Sequence, residues 1–254
     1  MKPFSCIIFD IDGTLSQTNE LIFATFNHVA EKYLGRTYTA PEIIAMFGPP
    51  EEIAVERLVG KEKFDEAIAD FYAYYEEHHP RLADKYRGID AVLEHLKECG
   101  IPLAVFTGKG AHTARITLEK LGMKKYFDLV VTGTDVVAHK PSAEGIRKVL
   151  TAFGTPKEEA LMVGDAVGDV KAAREAGIRV AAVLWDSYGK DKILGMDVDY
   201  RFHSVEEFSR WIMKTIPKKQ AANHKVMPSA KEGGQVRPED GGQVRQEDGG
   251  QVRV

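Results

Sequence analysis

The sequence predicts an α/β fold: a doubly wound, mostly parallel sheet with an inserted helical cap. Three observations lead there. Short apolar runs recur at 7–9, 103–106, 129–131, 161–163 and 180–184. The segments joining the last four carry helical periodicity, and each of those helices closes on a glycine. Strands alternating with helices of this length build βαβ units, the repeating unit of Rossmann-like sheets, because parallel neighbours need a crossover.

Taken in order, the first run, Cys6-Ile7-Ile8-Phe9, is apolar at every position, as expected of a strand covered on both faces. It runs directly into Asp10-Ile11-Asp12-Gly13-Thr14. Ligands of open α/β sheets sit at the carboxyl ends of the strands, so these two carboxylates face a crevice. With a side-chain period of two, Asp10 and Asp12 start on one face, and Gly13 lets the backbone turn beside them.

Residues 16–85 contain no convincing strand. Their helical patterns break at Gly35, Gly48-Pro49-Pro50 and Gly60, which reads as a helical insertion over the carboxyl edge, placed to exclude water. The aromatic stripe Phe71, Tyr72, Tyr74, Tyr75 reads as packing within that bundle. Beyond it, helices are expected at 89–99, 110–121, 142–153 and 168–176, with Gly100, Gly122, Gly154 and Gly177 as stop signals. The expected organisation is therefore a core from 1–15 and 86–217, a cap from 16–85, and a tail from 218–254. The tail ends in an imperfect repeat, GGQVRPED, GGQVRQED, GGQVRV, too poor in apolar residues to repay its ordering entropy, and is expected to be disordered.

Composition narrows the function. At 254 residues and 44% hydrophobic content the chain can bury one good core and a smaller unit. A net charge of −4 argues against nucleic-acid binding, and no apolar stretch reaches the length of a membrane span. Two cysteines without ligand spacing, Cys6 and Cys99, and an amino terminus that runs straight into a strand fit a reduced, cytoplasmic protein. Neither GxxxxGK[ST] nor a first-strand GxGxxG is present, and Gly13 falls at the wrong place for a calcium loop.

Four more features fall where the strands end: Thr107-Gly108, Lys140-Pro141, Gly164-Asp165 and Asp169. With Asp10-x-Asp12-Gly13-Thr14 this ordered set resembles the haloacid dehalogenase superfamily of phosphotransferases over residues 4–215. The resemblance implies that Asp10 is the nucleophile, forming an aspartyl-phosphate. It implies that Asp12 is the general acid and then the base, and that its backbone carbonyl ligates metal. Asp10 and Asp165 would hold Mg²⁺, Asp169 would orient metal-bound water, and Thr107, Gly108 and Lys140 would bind the phosphoryl group. Elementary electrostatics makes the same demand: a carboxylate meeting a phosphate dianion faces about 5 kcal/mol of repulsion per charge pair at ~3 Å and an effective dielectric of ~20. A divalent cation and a fixed ammonium offset that cost, while Asp12 must be held protonated by neighbouring charge in a dry site.

The helical insertion resembles the small cap of the phosphoglycolate phosphatase and β-phosphoglucomutase branch, and segments 18–22, 47–50 and 76–79 resemble its pyrophosphatase members. The implied partners are a small phosphorylated substrate or inorganic pyrophosphate, with no nucleic acid, no membrane and no indicated oligomeric state. A phosphosugar mutase and a non-catalytic module keeping the fold are the alternatives. Two departures stand out: Ser16-Gln17-Thr18-Asn19 where phosphoglycolate phosphatases carry Asp-Ser, and Ala166 where relatives carry a hydrogen-bonding residue. Asn19, Glu20, Phe47 and Gly48 are the cap positions to inspect for substrate choice, with packing the alternative reading of Phe47 and turn geometry that of Gly48.

Overall fold

A computed structural model of the chain describes residues 4–218. In chain order its elements are β1 (Cys6–Phe9), β2 (Ser16–Gln17), α1 (Asn19–Leu34), α2 (Ala40–Ile44), α3 (Glu51–Val59), α4 (Lys61–Leu82), β3 (Asp84–Lys85), α5 (Ile89–Glu98) and β4 (Leu103–Phe106). There follow α6 (Ala111–Lys120), β5 (Leu129–Val131), α7 (Glu144–Phe153), β6 (Ala160–Gly164), α8 (Val167–Ala176), β7 (Arg179–Val183), α9 (Lys190–Leu194), β8 (Tyr200–Phe202) and α10 (Val205–Thr215). The sheet order is β5-β4-β1-β6-β7-β8 and every pairing in it is parallel.

Strand β1 is central, with Ile7 level with Leu103 on one side and with Leu161 on the other. Its alternation divides the core. Ile7 and Phe9 join Leu103, Val105, Phe208 and Ile212 in one buried layer, while Cys6 and Ile8 join Phe106, Met162, Ile146 and Val170 in the other. Covering on both faces is why these strands read as unbroken apolar runs. Burial also pushes the Cys6 thiol up to about 12, so it acts as a small hydrophobe.

The five expected strands and four expected helices are all present, with ends that fall within two residues of those expected. Helix α7 starts at Glu144, later than periodicity suggests, because Pro141 and Ser142 form the turn that precedes it and the Glu144 amide donates to Ser142 Oγ at 3.2 Å. Helices α7 and α8 close on Gly154 and Gly177 in the left-handed region, at φ 60° and 71°. Beyond β7 the chain adds α9, β8 and α10. In 16–85 the helices are flanked by two short strands, β2 and β3, which pair antiparallel where the chain leaves and re-enters the sheet layer.

Helices α1, α3 and α4 pack around Leu21, Phe26, Val29, Val55, Phe71 and Tyr75, a cluster that also takes in Ile116 of α6. Phe26 and Phe71 meet edge to face at 5.1 Å. Of the aromatic stripe, Phe71 and Tyr75 are buried, whereas half-buried Tyr72 donates to Glu52 Oε1 and Tyr74 stacks on His28 and His78. No helix among the described residues is long and apolar enough to cross a membrane. The expected tail, from 219 onward, lies outside the described residues.

Candidate active site

The site forms where β1, β4 and β6 end side by side. The Asp10 amide donates to Val163 O at 2.9 Å, extending the parallel ladder one residue past β1 and fixing the direction of its side chain. The Leu15 and Ser16 amides both turn back to Ile11 O, at 2.8 and 3.0 Å, and Gly13 completes the loop at φ +74°. An ideal β-carbon on Gly13 would stand 2.4 Å from Asp165 Oδ2, so only glycine lets the first loop close against the Asp165 carboxylate.

Asp165 follows β6 and is buried. Thr14 Oγ1 donates to its Oδ1 at 3.0 Å, and the Ser187 hydroxyl donates to its backbone carbonyl. Asp169 lies one turn into α8, fully buried, with Oδ2 accepting from the Ala166 amide at 2.9 Å and Oδ1 against Lys140 Nζ at 2.5 Å. At Ala166, whose side chain offers no hydrogen bond, the backbone amide still holds the Asp169 carboxylate in place. Lys140 Nζ lies 3.1 Å from Asp10 Oδ1 as well, and 4.8 Å above the Phe106 ring. Gly145 makes room for that ring: a β-carbon there would come within 2.1 Å of it.

Asp10, Asp165 and Asp169 each place one oxygen within 4.8 Å of the others, and all three are buried. Burial, with Asp169 and Asp12 adding to it against the pull of Lys140, raises Asp10 to about 7. Burial and then the Asp10 and Asp169 charges push Asp165 well above the carboxylate range. Burial disfavours the Lys140 ammonium, but Asp10 and Asp169 outweigh it and the pKa moves up. One ammonium among three clustered carboxylates leaves negative charge uncompensated. An all-oxygen donor set of this kind fits a hard divalent cation.

The side chain of Asp12 faces elsewhere. Its Oδ1 accepts from the Thr18 hydroxyl and pairs with Lys109 Nζ at 3.1 Å. Where sequence reasoning expects surroundings that hold Asp12 protonated, the structure sets an ammonium against it. Lys109 is itself buried; desolvation pulls its pKa down, but Asp12, Tyr75 and Glu51 more than reverse this and hold it charged. Thr107 is buried, accepting at Oγ1 from the Lys109 amide at 3.3 Å, and with Gly108 it lines the same cavity as Asp10, Asp12, Lys140 and Asp165. Of the catalytic, phosphate-binding and metal-binding residues expected from sequence, Asp10, Asp12, Thr107, Gly108, Lys140 and Asp165 thus line one cavity, and Asp169 lies behind them against Lys140.

Three participants escaped sequence reasoning. Lys109 is one. Glu51 of α3 is another: buried, it accepts from the Gly110 amide at 2.7 Å and from the Thr113 hydroxyl, tying the helical insertion to the start of α6. Asp186, the third, lines the neighbouring hollow and not the cavity itself, and touches the site only through Asn19, from which it accepts at 3.3 Å while also accepting from the Tyr86 hydroxyl. The loop 48–50 rests on the sheet edge, where β-carbons on Gly108 and Gly133 would meet Gly48 O at 3.2 Å and Pro50 at 3.1 Å. Of the four cap positions, Asn19, Phe47 and Gly48 line the cavity, whereas Glu20 borders a separate hollow.

A parallel sheet whose carboxyl edge gathers these acids around a buried lysine defines a class. The haloacid dehalogenase-like hydrolase family model matches residues 7–183, and the chain belongs to that family. It is therefore a hydrolase. Pyrophosphatase PpaX of Halalkalibacterium halodurans is 35% identical over 201 residues, covering 79% of this chain and 93% of its own. A haloacid dehalogenase-like family hydrolase from Streptococcus pneumoniae superposes with a TM-score of 0.68 at 27% identity, covering 83% of this chain and 99% of its own. A predicted phosphoglycolate phosphatase from Haemophilus somnus shares the fold, with a TM-score of 0.71 at 23% identity over 84% of this chain and 98% of its own.

Proposed function

We propose that this chain is a Mg²⁺-dependent phosphatase that hydrolyses small phosphate compounds, a phosphomonoester or inorganic pyrophosphate, through an aspartyl-phosphate on Asp10. The observation that carries the proposal is the placement of Lys140 Nζ between Asp10 and Asp169, with Asp165 in the same cluster. Support also comes from the phosphate-directed relatives named above. The insertion 16–85 is read as a cap that closes over the sheet edge.

Asp10 attacks phosphorus as the P–O bond to the leaving group breaks, and Asp12, which must enter this step protonated and not as the carboxylate paired with Lys109, gives that oxygen its proton. Water then attacks the same phosphorus, Asp12 takes the proton back, and Asp10 is regenerated as phosphate departs. Two displacements replace one difficult step. The Asp12–Lys109 ion pair suits the second of them, in which Asp12 acts as base. Lys140 keeps a positive charge beside the attacking carboxylate, and the Thr107 hydroxyl with the Gly108 amide at the approach to α6 receives the phosphoryl oxygens. Asp10, Asp165 and the Asp12 carbonyl would hold Mg²⁺, with Asp169 placing its water; bound there, the ion neutralises charge shared by the carboxylates and the phosphate.

Purified protein should release inorganic phosphate from a panel of phosphate compounds only with Mg²⁺ present, and Asp10→Asn should abolish turnover while the chain stays folded. Full activity in that variant would sink the mechanism.

A further inference from the structure

The cavity holding the aspartates has a volume of about 400 Å³, more than a phosphoryl group fills, and its two halves differ in chemistry. The half at the sheet edge carries the acids, Thr107, Gly108 and Lys140. The half under the helical insertion is walled by Ile22, Phe26, Ile44, Met46, Ala54 and Phe71. At its mouth Phe47 is 41% exposed and stacks on Phe23 at 6.4 Å, and Phe23 in turn meets the 54% exposed Tyr188 edge on at 5.7 Å.

The charges around the cavity do not suit a second anion. Lys140 is held by Asp10 and Asp169. Lys109 is paired with Asp12 and also feels the charge of Glu51. Glu51 is a buried carboxylate fixed by the Gly110 amide and the Thr113 hydroxyl, and Lys192, which also lines the cavity, is exposed, so that water screens its charge. A second phosphate or a carboxylate tail would be stripped of water between apolar walls and beside an acid, an uncompensated desolvation. An apolar group there gains by leaving water.

We propose that this enzyme's preferred substrates are phosphate monoesters of apolar, ring-bearing alcohols, with Phe47 and Glu51 as specificity-determining residues that favour the ring and reject anionic tails. This rests on the phosphatase reading above. In the reaction the bond from phosphorus to the alcohol oxygen breaks, water supplies the new oxygen on phosphorus, and the alcohol leaves with a proton.

The test compares kcat/KM for 2-phenylethyl phosphate, phosphoglycolate and inorganic pyrophosphate with the full chain in Mg²⁺; the first two share an alcohol leaving group, so their ratio reads recognition. The expected result is a preference for 2-phenylethyl phosphate of about tenfold or more over both others. Phe47→Ala should raise KM for 2-phenylethyl phosphate about fivefold, the loss of one ring contact, and leave inhibition by inorganic phosphate unchanged. Glu51→Gln should shift the ratio toward phosphoglycolate. Equal or better turnover of phosphoglycolate or pyrophosphate by the wild-type chain overturns the substrate assignment and leaves the phosphatase reading standing. No phosphate release from any of a broad panel removes that reading and the assignment together.

Discussion

Lys109 reaches Asp12 across 97 positions of the chain, Nζ to Oδ1 at 3.1 Å, and lies 4.8 Å from the centroid of the Tyr75 ring. A lysine on the loop after β4 thereby ties the first acidic loop to the aromatic underside of α4. Its side chain is only 7% exposed, so the ammonium has little water to fall back on.

Lys109→Met should cost stability as well as turnover. Removing one partner of a buried ion pair strands the other charge, typically at 3–5 kcal/mol; Asp12 retains 19% exposure, which brings the expectation to about 2–3 kcal/mol. Adding Asp12→Asn to that variant removes the stranded charge and should recover part of the loss. Urea unfolding of wild type, both single variants and the double variant gives the coupling directly. Strict additivity would mean that the pair contributes nothing.

Gly13→Ala combines two penalties. The residue must hold φ +74°, costing about 1 kcal/mol for a β-carbon, and that carbon would lie 2.4 Å from Asp165 Oδ2. The backbone or Asp165 must move, and either motion pulls the carboxylate out of its cluster. The variant should fold with a modest loss in thermal stability and should lose most of its stabilisation by Mg²⁺. Melting curves with and without the ion separate the two effects.

Mg²⁺ itself should stabilise the protein, because three buried carboxylates repel one another without it. At a concentration 100 times its dissociation constant, a ligand bound only by the native state adds about 2.7 kcal/mol. For a domain of this size that corresponds to roughly 5–10 °C in Tm. Asp165→Asn should melt higher than wild type in chelator, since it relieves repulsion, and gain little from Mg²⁺. Scanning calorimetry at fixed pH distinguishes the two proteins; an identical Mg²⁺ response would remove Asp165 from the metal site.

The fold was legible where burial is two-sided. Runs such as 103–106 and 161–163 admit little except a covered strand, and Gly154 and Gly177 sit where a helix needs a left-handed stop. Strand β8 was not legible, since Arg201 interrupts three residues at the sheet edge and only pairing with β7 makes them a strand. Helix α10 carried a readable signal in Ser204-Val205-Glu206-Glu207, whose serine Oγ accepts from the Glu207 amide at 3.2 Å. At the site, Asp10, Asp165 and Asp169 were visible because each closes a strand or opens a helix, whereas Lys140, on the loop between β5 and α7, was visible only as part of the ordered motif set. Lys109 and Glu51 were not: a lysine after Gly108 and a glutamate in a helix's first turn read as solvated charges until the fold buries both.

His79 supplies a pH signature independent of catalysis. It is 1% exposed on α4, edge on to Tyr75 at 5.8 Å, and burial, followed by the Lys109 and Lys120 ammoniums, lowers its pKa to about 4. Unfolded, a histidine titrates near 6.5, so between those values the unfolded chain binds a proton that the native state refuses. Stability therefore falls as pH drops through 6.5, by up to about 1.4 kcal/mol per pH unit and at most about 3 kcal/mol in all. The raised pKa of Asp10 acts in the opposite sense over part of the range, which makes the difference between wild type and His79→Phe the informative quantity. Urea unfolding at pH 7.5, 6 and 5 should show His79→Phe losing less stability on acidification than wild type, by about one proton's slope below pH 6.5. Parallel curves for the two proteins would mean that His79 takes up its proton in the native state and that its burial carries no electrostatic cost.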